Sequence, residues 1–285
     1  MKNTPIVAFG DCIESGTYTF HSGFESIDNF VNLNGEFISL AADISFLAPN
    51  SIIINDFIST KYSCICIDDE FIHFNNIKLI LNKELRYHSI FKYPEIAYSV
   101  LESKILAFIN LYASDFPLKS LFFLLHPENK KYFTSAFEKA FVKQMEYAFS
   151  LFHVQLYESI EEFKSRGNGL TPSGDDFIAG VLFGIDLVET LHNKDYVRIK
   201  DTIYKISKSN NLFSNNMLRM AYHARYFKRL QDFLNAFFYL PLTDLRPAFE
   251  QLIAVGDTSG ADMLTGFFTV ILFNAEVSKE DAKHR

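Results

Sequence analysis

The residues best suited to chemistry stand together in "GNGLTPSGDDFIAG", Gly167 to Gly180. Four of the chain's twelve glycines fall there, with the adjacent acids Asp175 and Asp176. A second stretch, "GDTSGADMLTG", runs from Gly256 to Gly266. Ser173, Gly174, Asp176 and Gly180 align with Ser259, Gly260, Asp262 and Gly266 at one constant offset of 86 residues. A threonine comes shortly before each Ser-Gly: Thr171 or Thr258. Each stretch leads into a strongly apolar helical pattern.

Two readings compete. The helix starts at Thr171 or Ser173: Thr171 can cap a helix whose first residue is Pro172, and Ser173 with Asp176 makes a variant capping box. Gly167 and Gly169 then end the preceding helix. Capping explains the hydroxyls and acids, but not Gly174 and Gly260. In a first turn, glycine costs about 1 kcal/mol of helix propensity relative to alanine. It also bares backbone N–H groups, as an anion needs at a helix N-terminus. The repeat therefore predicts a small-anion site where the two helix starts meet, built from Gly169, Thr171, Ser173, Gly174, Asp175, Asp176, Thr258, Ser259, Gly260 and Asp262. Adjacent helical residues point about 100° apart, so Asp175 and Asp176 cannot both face one ligand. Asp176 and Asp262 would cap backbone or accept from an amide or ammonium group. Asp175 is then left for a divalent ion or a ligand N–H. Mg²⁺ bridging Asp175 or Asp176 to a phosphate is a further use of these acids. Gly180 and Gly184, one turn apart, would let a neighbouring segment approach closely.

A basic segment, "LFSNNMLRMAYHARYFKRL" (212–230), offers Arg219, Arg225, Lys228 and Arg229 for an anion clamp. Arg219 stands out because it lies inside an apolar run. A solvated basic face is the simpler account of the others. The eight histidines show no helical zinc spacing. There is no P-loop, no G-x-G-x-x-G and no G-x-S-x-G elbow.

The elements that must position these residues change character along the chain. The first third holds short Ile-, Val-, Phe- and Tyr-rich runs at 6–13, 17–24, 50–56, 62–68 and 76–82, the pattern of a barrel or sandwich. Asn34-Gly35 signals a hairpin between FVNL and EFISL. Apolar stripes at helical spacing follow over 96–108 and 133–145. Helical patterns then cover 154–165, 176–192, 196–208, 215–237, 245–254 and 261–275. The expected class is α+β. Residues 1–92 form a β-rich, barrel- or sandwich-like domain, packed on an all-α domain of residues 93–285 that carries both motifs.

Composition narrows the partners. The formal net charge of −7 argues against nucleic acid and anionic membranes, though not against a small anion held locally. No apolar run reaches the roughly 18 residues of a spanning helix, and the N-terminus does not read as a signal peptide. Cys12, Cys64 and Cys66 are too few for a disulfide framework and are expected as buried thiols of a cytoplasmic protein.

"GNGLTPSGDDFIAG" resembles the signature of the bacterial family that contains the AllH subunit of oxamate carbamoyltransferase. "SIDNFVNLNGEFISLAADISFLAPNSIII", "SNNMLRMA" and "GDTSGADMLTG" are similar to that family as well. The motif residues that map are Gly169, Thr171, Pro172, Ser173, Gly174, Asp175, Asp176 and Gly180. Tyr222-His223 departs from the small residue and glycine expected there. The resemblance implies a role in allantoin and purine nitrogen use, where oxalurate and phosphate are interconverted with oxamate and carbamoyl phosphate. It implies two larger partner subunits, and a carbamate kinase that uses the product. Two rivals are a non-catalytic structural or regulatory subunit, and a Mg²⁺-dependent hydrolase or phosphotransferase using Asp175, Asp176 and Asp262.

Overall fold

The computed structural model describes residues 6–24, 26–55, 62–74 and 77–273. Residue 56 and residue 76 of the expected strands, and 274–275 of the last expected helix, lie outside the described residues, as do positions 1–5. The chain divides into two compact units: Met1–Phe91 with Arg225–Asn235, and Lys92–Ala224 with Ala236–Arg285.

The first unit is built on one eight-stranded, near-barrel sheet. Its strands are β1 (Ile6–Phe9), β2 (Gly16–Phe24), β3 (Ile27–Val31), β4 (Phe37–Ala41), β5 (Ser51–Ile54), β6 (Cys64–Ile67), β7 (Phe71–Phe74) and β8 (Ile77–Ile80). They lie in the order β1-β5-β4-β3-β2-β6-β7-β8. The β4–β5 pair is parallel and the others are antiparallel. The hairpin expected at Asn34-Gly35 joins β3 to β4. Asn32 Oδ1 accepts from the N–H groups of Asn34 and Glu36 at 2.9 and 3.0 Å. Gly35 turns the chain at φ +78°, a region that favours glycine.

In β6 the side chains alternate across the sheet, and Ile65 and Ile67 take the buried face. Cys64 and Cys66 therefore share the other face, half-buried and exposed. The expectation of buried thiols fails there because the isoleucines claim the core side. Cys12 is half-buried, and burial followed by the Asp11 charge pushes its thiol upward.

The helices are α1 (Tyr98–Tyr112), α2 (Ala136–Phe152), α3 (Leu156–Phe163), α4 (Ser173–His192), α5 (Val197–Ser207), α6 (Leu212–Tyr222), α7 (Lys228–Tyr239), α8 (Arg246–Ile253) and α9 (Ser259–Leu272). The chain is thus α+β, with the sheet in its N-terminal part and mostly helices after it. The single helix expected over 215–237 is two. Ala224 sits at φ +52°, and the N–H groups of Tyr226 and Lys228 leave the helical pattern for Ser89 O and Leu47 O at 2.8 and 2.9 Å. Side-chain periodicity carries no trace of such backbone bonds.

The core of the second unit is α4 against α9. Gly174 to Ile185 of α4 and Gly260 to Ile271 of α9 are buried without a break. A helix that is apolar on every side must be wrapped by others.

Candidate functional site

The two helix starts meet along the α4–α9 crossing, and glycine permits the approach. A Cβ on Gly180 would lie 1.9 Å from Met263 O, and one on Gly266 would lie 2.0 Å from Phe177 O. Met263 stands 86 residues after Phe177, as Gly266 does after Gly180. Each helix therefore presents the same glycine to the same carbonyl position of the other. The contact is reciprocal, as across a local two-fold axis. Gly184 continues the seam against Phe267 O and Val270.

The first-turn glycines have a different reason from the one expected. A Cβ on Gly174 would lie 1.8 Å from Phe163 O at the end of α3, and one on Gly260 would lie 2.0 Å from Leu252 O in α8. Their N–H groups already donate to Arg166 O at 2.8 Å and Val255 O at 3.2 Å. Those of Asp175 and Asp176 donate to Pro172 O, and that of Asp262 to Thr258 O. These glycines serve helix-on-helix packing, and the N–H groups named here are occupied.

The capping boxes are also replaced. Pro172 and Thr258 occupy the N-cap positions, with no side-chain cap bond at either helix. The serines instead reach across the seam. Ser173 stands beside Asp262 of the other helix and Ser259 beside Asp176, each hydroxyl favouring the ionised acid. Each acid also has a threonine from its own loop: Thr171 Oγ1 donates to Asp176 Oδ2 at 3.2 Å, and Thr258 Oγ1 to Asp262 Oδ2 at 2.7 Å. Thr171 and Ser259 hydroxyls stand 3.3 Å apart. Asp262 further accepts from the Leu121 N–H at 2.5 Å.

Burial dominates the acids' titration. It pushes Asp262 up to about 7, against the Leu121, Thr258 and Ser173 hydrogen bonds that favour the ionised form. Burial, followed by repulsion from Asp262, holds Asp176 well above the usual carboxylate range. Asp175 is fully buried and also raised by burial, and it accepts from the Ser165 N–H at 2.7 Å. Among the described residues no three His, Cys, Asp or Glu side chains gather as metal ligands, so Asp175, Asp176 and Asp262 do not make one ligand set. The groups that contact them are hydroxyl and backbone N–H donors, and Asp175 Oδ2 and Asp176 Oδ1 are buried without a hydrogen-bond partner.

Beside the seam, in the second unit, lies a cleft of about 640 Å³. Its polar wall holds Ser165, Arg166, Gly167 and Asn168 from the α3–α4 loop and Ser173 at the start of α4, with Asp257 and Thr258 from the α8–α9 loop. The facing wall is Phe133, Phe137, Phe141 and Gln144, at or on α2, with Lys119 beside Glu138. Phe137 is 71% exposed. Lys119 Nζ meets Glu138 Oε1 at 2.5 Å and holds that carboxyl well below its usual range. Arg166 lies 3.8 Å from Glu162, both partly exposed, and with its amide oxygen turned inward Gln144 accepts from that guanidinium at 2.9–3.1 Å. Clefts of this size with a few convergent polar groups are the usual form of small-molecule sites.

Of the residues expected from the sequence, Ser173 and Thr258 line this cleft. Gly174, Asp175, Asp176, Gly260 and Asp262 are buried behind it, while Thr171 and Ser259 join the seam network. Gly169 is exposed at φ +106° in the α3–α4 loop. Arg219 is half-buried on α6 and is not among the lining residues. Arg225, Lys228 and Arg229 engage Asp11, Asp232 and Ser45 within the first unit. Arg166, Lys119, Asn168 and Gln144 were not anticipated. Arg166 had one usable signal, its place directly before Gly167.

Residues 165–271 match the model of a family described as oxamate carbamoyltransferase subunit AllH. The match spans less than half of the chain but includes both Ser-Gly-x-Asp stretches, so the AllH-like resemblance holds over that segment. No curated protein and no solved structure matches the chain. Among the described residues no helix is long and apolar enough to cross a membrane.

Proposed function

We propose that the chain serves as an AllH-like subunit of an oxamate carbamoyltransferase, acting with other subunits on oxalurate and phosphate to give oxamate and carbamoyl phosphate. In this reading a small anionic ligand occupies the cleft beside the α4–α9 seam. The observation that carries it is the convergence of both motif loops on one cleft, with Arg166 and Lys119 among its walls. Arg166 supplies a planar donor fork for a carboxylate or phosphate, and Lys119 a point charge. Carbamoyl transfer asks mainly for orientation and for stabilisation of a developing oxyanion, which such fixed donors provide.

Calorimetry on the whole chain, titrating oxamate, carbamoyl phosphate and phosphate, tests the reading. Arg166→Gln is the variant of choice, because the Gly174 N–H bonds to the residue 166 carbonyl and that backbone contact survives. Losing a hydrogen bond to a charged group is worth about 1.5–3 kcal/mol, so affinity should fall roughly 10- to 100-fold. Unchanged affinity in Arg166→Gln would remove the anion from this cleft.

A second reading, a non-catalytic structural or regulatory subunit, has one observation in its favour. Gly174, Asp175, Asp176 and Gly180 of the motif are all buried in helix contacts. It predicts that no ligand binds the chain and that motif substitutions impair assembly alone.

A further inference from the structure

Asp262 decides what the polar wall of the cleft can recognise. It is fully buried and accepts from the Leu121 N–H at 2.5 Å and the Thr258 hydroxyl at 2.7 Å, with the Ser173 hydroxyl beside it. The two hydroxyls, of Thr258 and Ser173, also line the cleft. They come from the starts of different helices, Ser173 from α4 and Thr258 from the N-cap of α9.

A hydroxyl has one hydrogen and two lone pairs. An ionised carboxylate is acceptor-only. When both hydroxyls donate inward to Asp262, they have no hydrogen left for a ligand and can only accept from it. Arg166 and Lys119 have the opposite character, since guanidinium and ammonium groups only donate. The cleft then has two ends of opposite hydrogen-bonding sense: acceptors at Ser173 and Thr258, and cationic donors at Arg166 and Lys119.

We propose that Asp262 is a positioning residue that fixes Ser173 and Thr258 as acceptors, so that they read the N–H₂ group of an amide or ureido ligand while Arg166 and Lys119 take its anionic end. This rests on the proposed ligand site in the cleft. It reverses the role expected of a helix start, where the anion would sit at the serines. The pseudo-equivalent acid does not share the task. Asp176 gathers Thr171 and Ser259, and neither of these lines the cleft. The local two-fold therefore ends at the cleft, where the two loops do different work.

Oxamate and oxalate test the idea, because they have nearly the same shape and differ by an amide in place of a carboxylate. Kd is measured for both by calorimetry at pH 8 with the whole chain. The native protein should bind oxamate at least about tenfold more tightly than oxalate, one good hydrogen bond's worth. In Asp262→Asn the amide can donate to the hydroxyls and release their hydrogens toward the cleft. The oxamate-to-oxalate preference should then fall about tenfold or invert. Structural damage alone would weaken both ligands together. Thr258→Val should weaken oxamate about tenfold and leave oxalate within about twofold, and Thr258→Ser should restore oxamate. Binding of both ligands with a preference unmoved by Asp262→Asn and by Thr258→Val would overturn the inference and leave the cleft site standing. Binding of neither ligand to the native protein would overturn the cleft site and this inference with it.

Discussion

Gly180→Ala is expected to destabilise the protein by about 3 kcal/mol or more, and the whole chain should show it as a large drop in the midpoint of urea unfolding. Helix propensity alone predicts the reverse, a gain of about 1 kcal/mol for alanine over glycine inside a helix. The sign is set by the neighbour. The new methyl carbon would sit 1.9 Å from Met263 O, with Met263 C at 2.8 Å and Phe267 N at 2.9 Å. These are backbone atoms of a helix buried on every side, so no flexible side chain can swing away. Methyl groups forced into close-packed cores typically cost about 1–3 kcal/mol. Here α4 and α9 must separate by more than an ångström, opening the seam that holds Ser173, Ser259, Asp176 and Asp262. Gly266→Ala should behave alike, through Phe177 O at 2.0 Å. The double variant should lose less than the sum of the two, because helices already parted by one methyl admit the second. An unchanged or raised unfolding midpoint in Gly180→Ala would mean that the crossing is looser than these distances state.

Part of this contact was legible in the sequence. Gly180 and Gly184, one turn apart in an apolar helix, already read as a place of close approach, because glycine in a helix interior needs such a reason. The constant offset of 86 residues also announced two related helix starts. Hydrogen-bond partners were harder to read. Ser-x-x-Asp fits a capping box inside one helix, and it fits equally well a serine that reaches the aspartate of the other copy. Residue types and spacing are identical in the two cases, and only the crossing distinguishes them. Gly174 and Gly260 misled for a similar reason: a glycine that admits a ligand and one that admits a carbonyl look alike in one dimension. Lys119 lies outside every motif and every periodic stripe, so nothing local marked it as a neighbour of Arg166 in one cleft. The alternation in the Cys64–Ile67 strand was plain, but not which of its faces met the core.

Stability should fall as pH rises from about 5 to 8.5, and Asp262→Asn should flatten that fall. Asp262 has a folded-state pKa of about 7 against an ordinary 3.8, raised by burial. A group whose pKa is raised by folding binds its proton more tightly in the folded state. Its stabilisation is complete below the unfolded value and is lost as pH rises through the folded one. From pH 5 only about two units remain to the folded value, and at about 1.4 kcal/mol each they give roughly 3 kcal/mol across the window, an upper figure for a single buried acid. Asp176, raised further by Asp262 beside it, acts with the same sign. Glu138, whose pKa is lowered chiefly by Lys119, acts with the opposite sign, but below the ordinary carboxylate range and so outside the window. His192 is lowered by burial and Lys194, so it favours folding as pH rises toward neutrality. The difference between the native and Asp262→Asn curves cancels Glu138 and His192 and reports Asp262 together with its coupling to Asp176. In the variant, the new side-chain amide can accept from Leu121 and donate to Thr258, leaving no buried charge behind. Urea midpoints at pH 5, 7 and 8.5 should show the variant gaining on the native protein at each step and exceeding it at pH 8.5. A constant deficit at all three values would mean that Asp262 ionises as easily in the folded chain as in the unfolded one. An acid that weakens the fold at neutral pH has a use that a neutral isostere cannot supply, and two hydroxyls held as acceptors at the edge of a cleft are such a use.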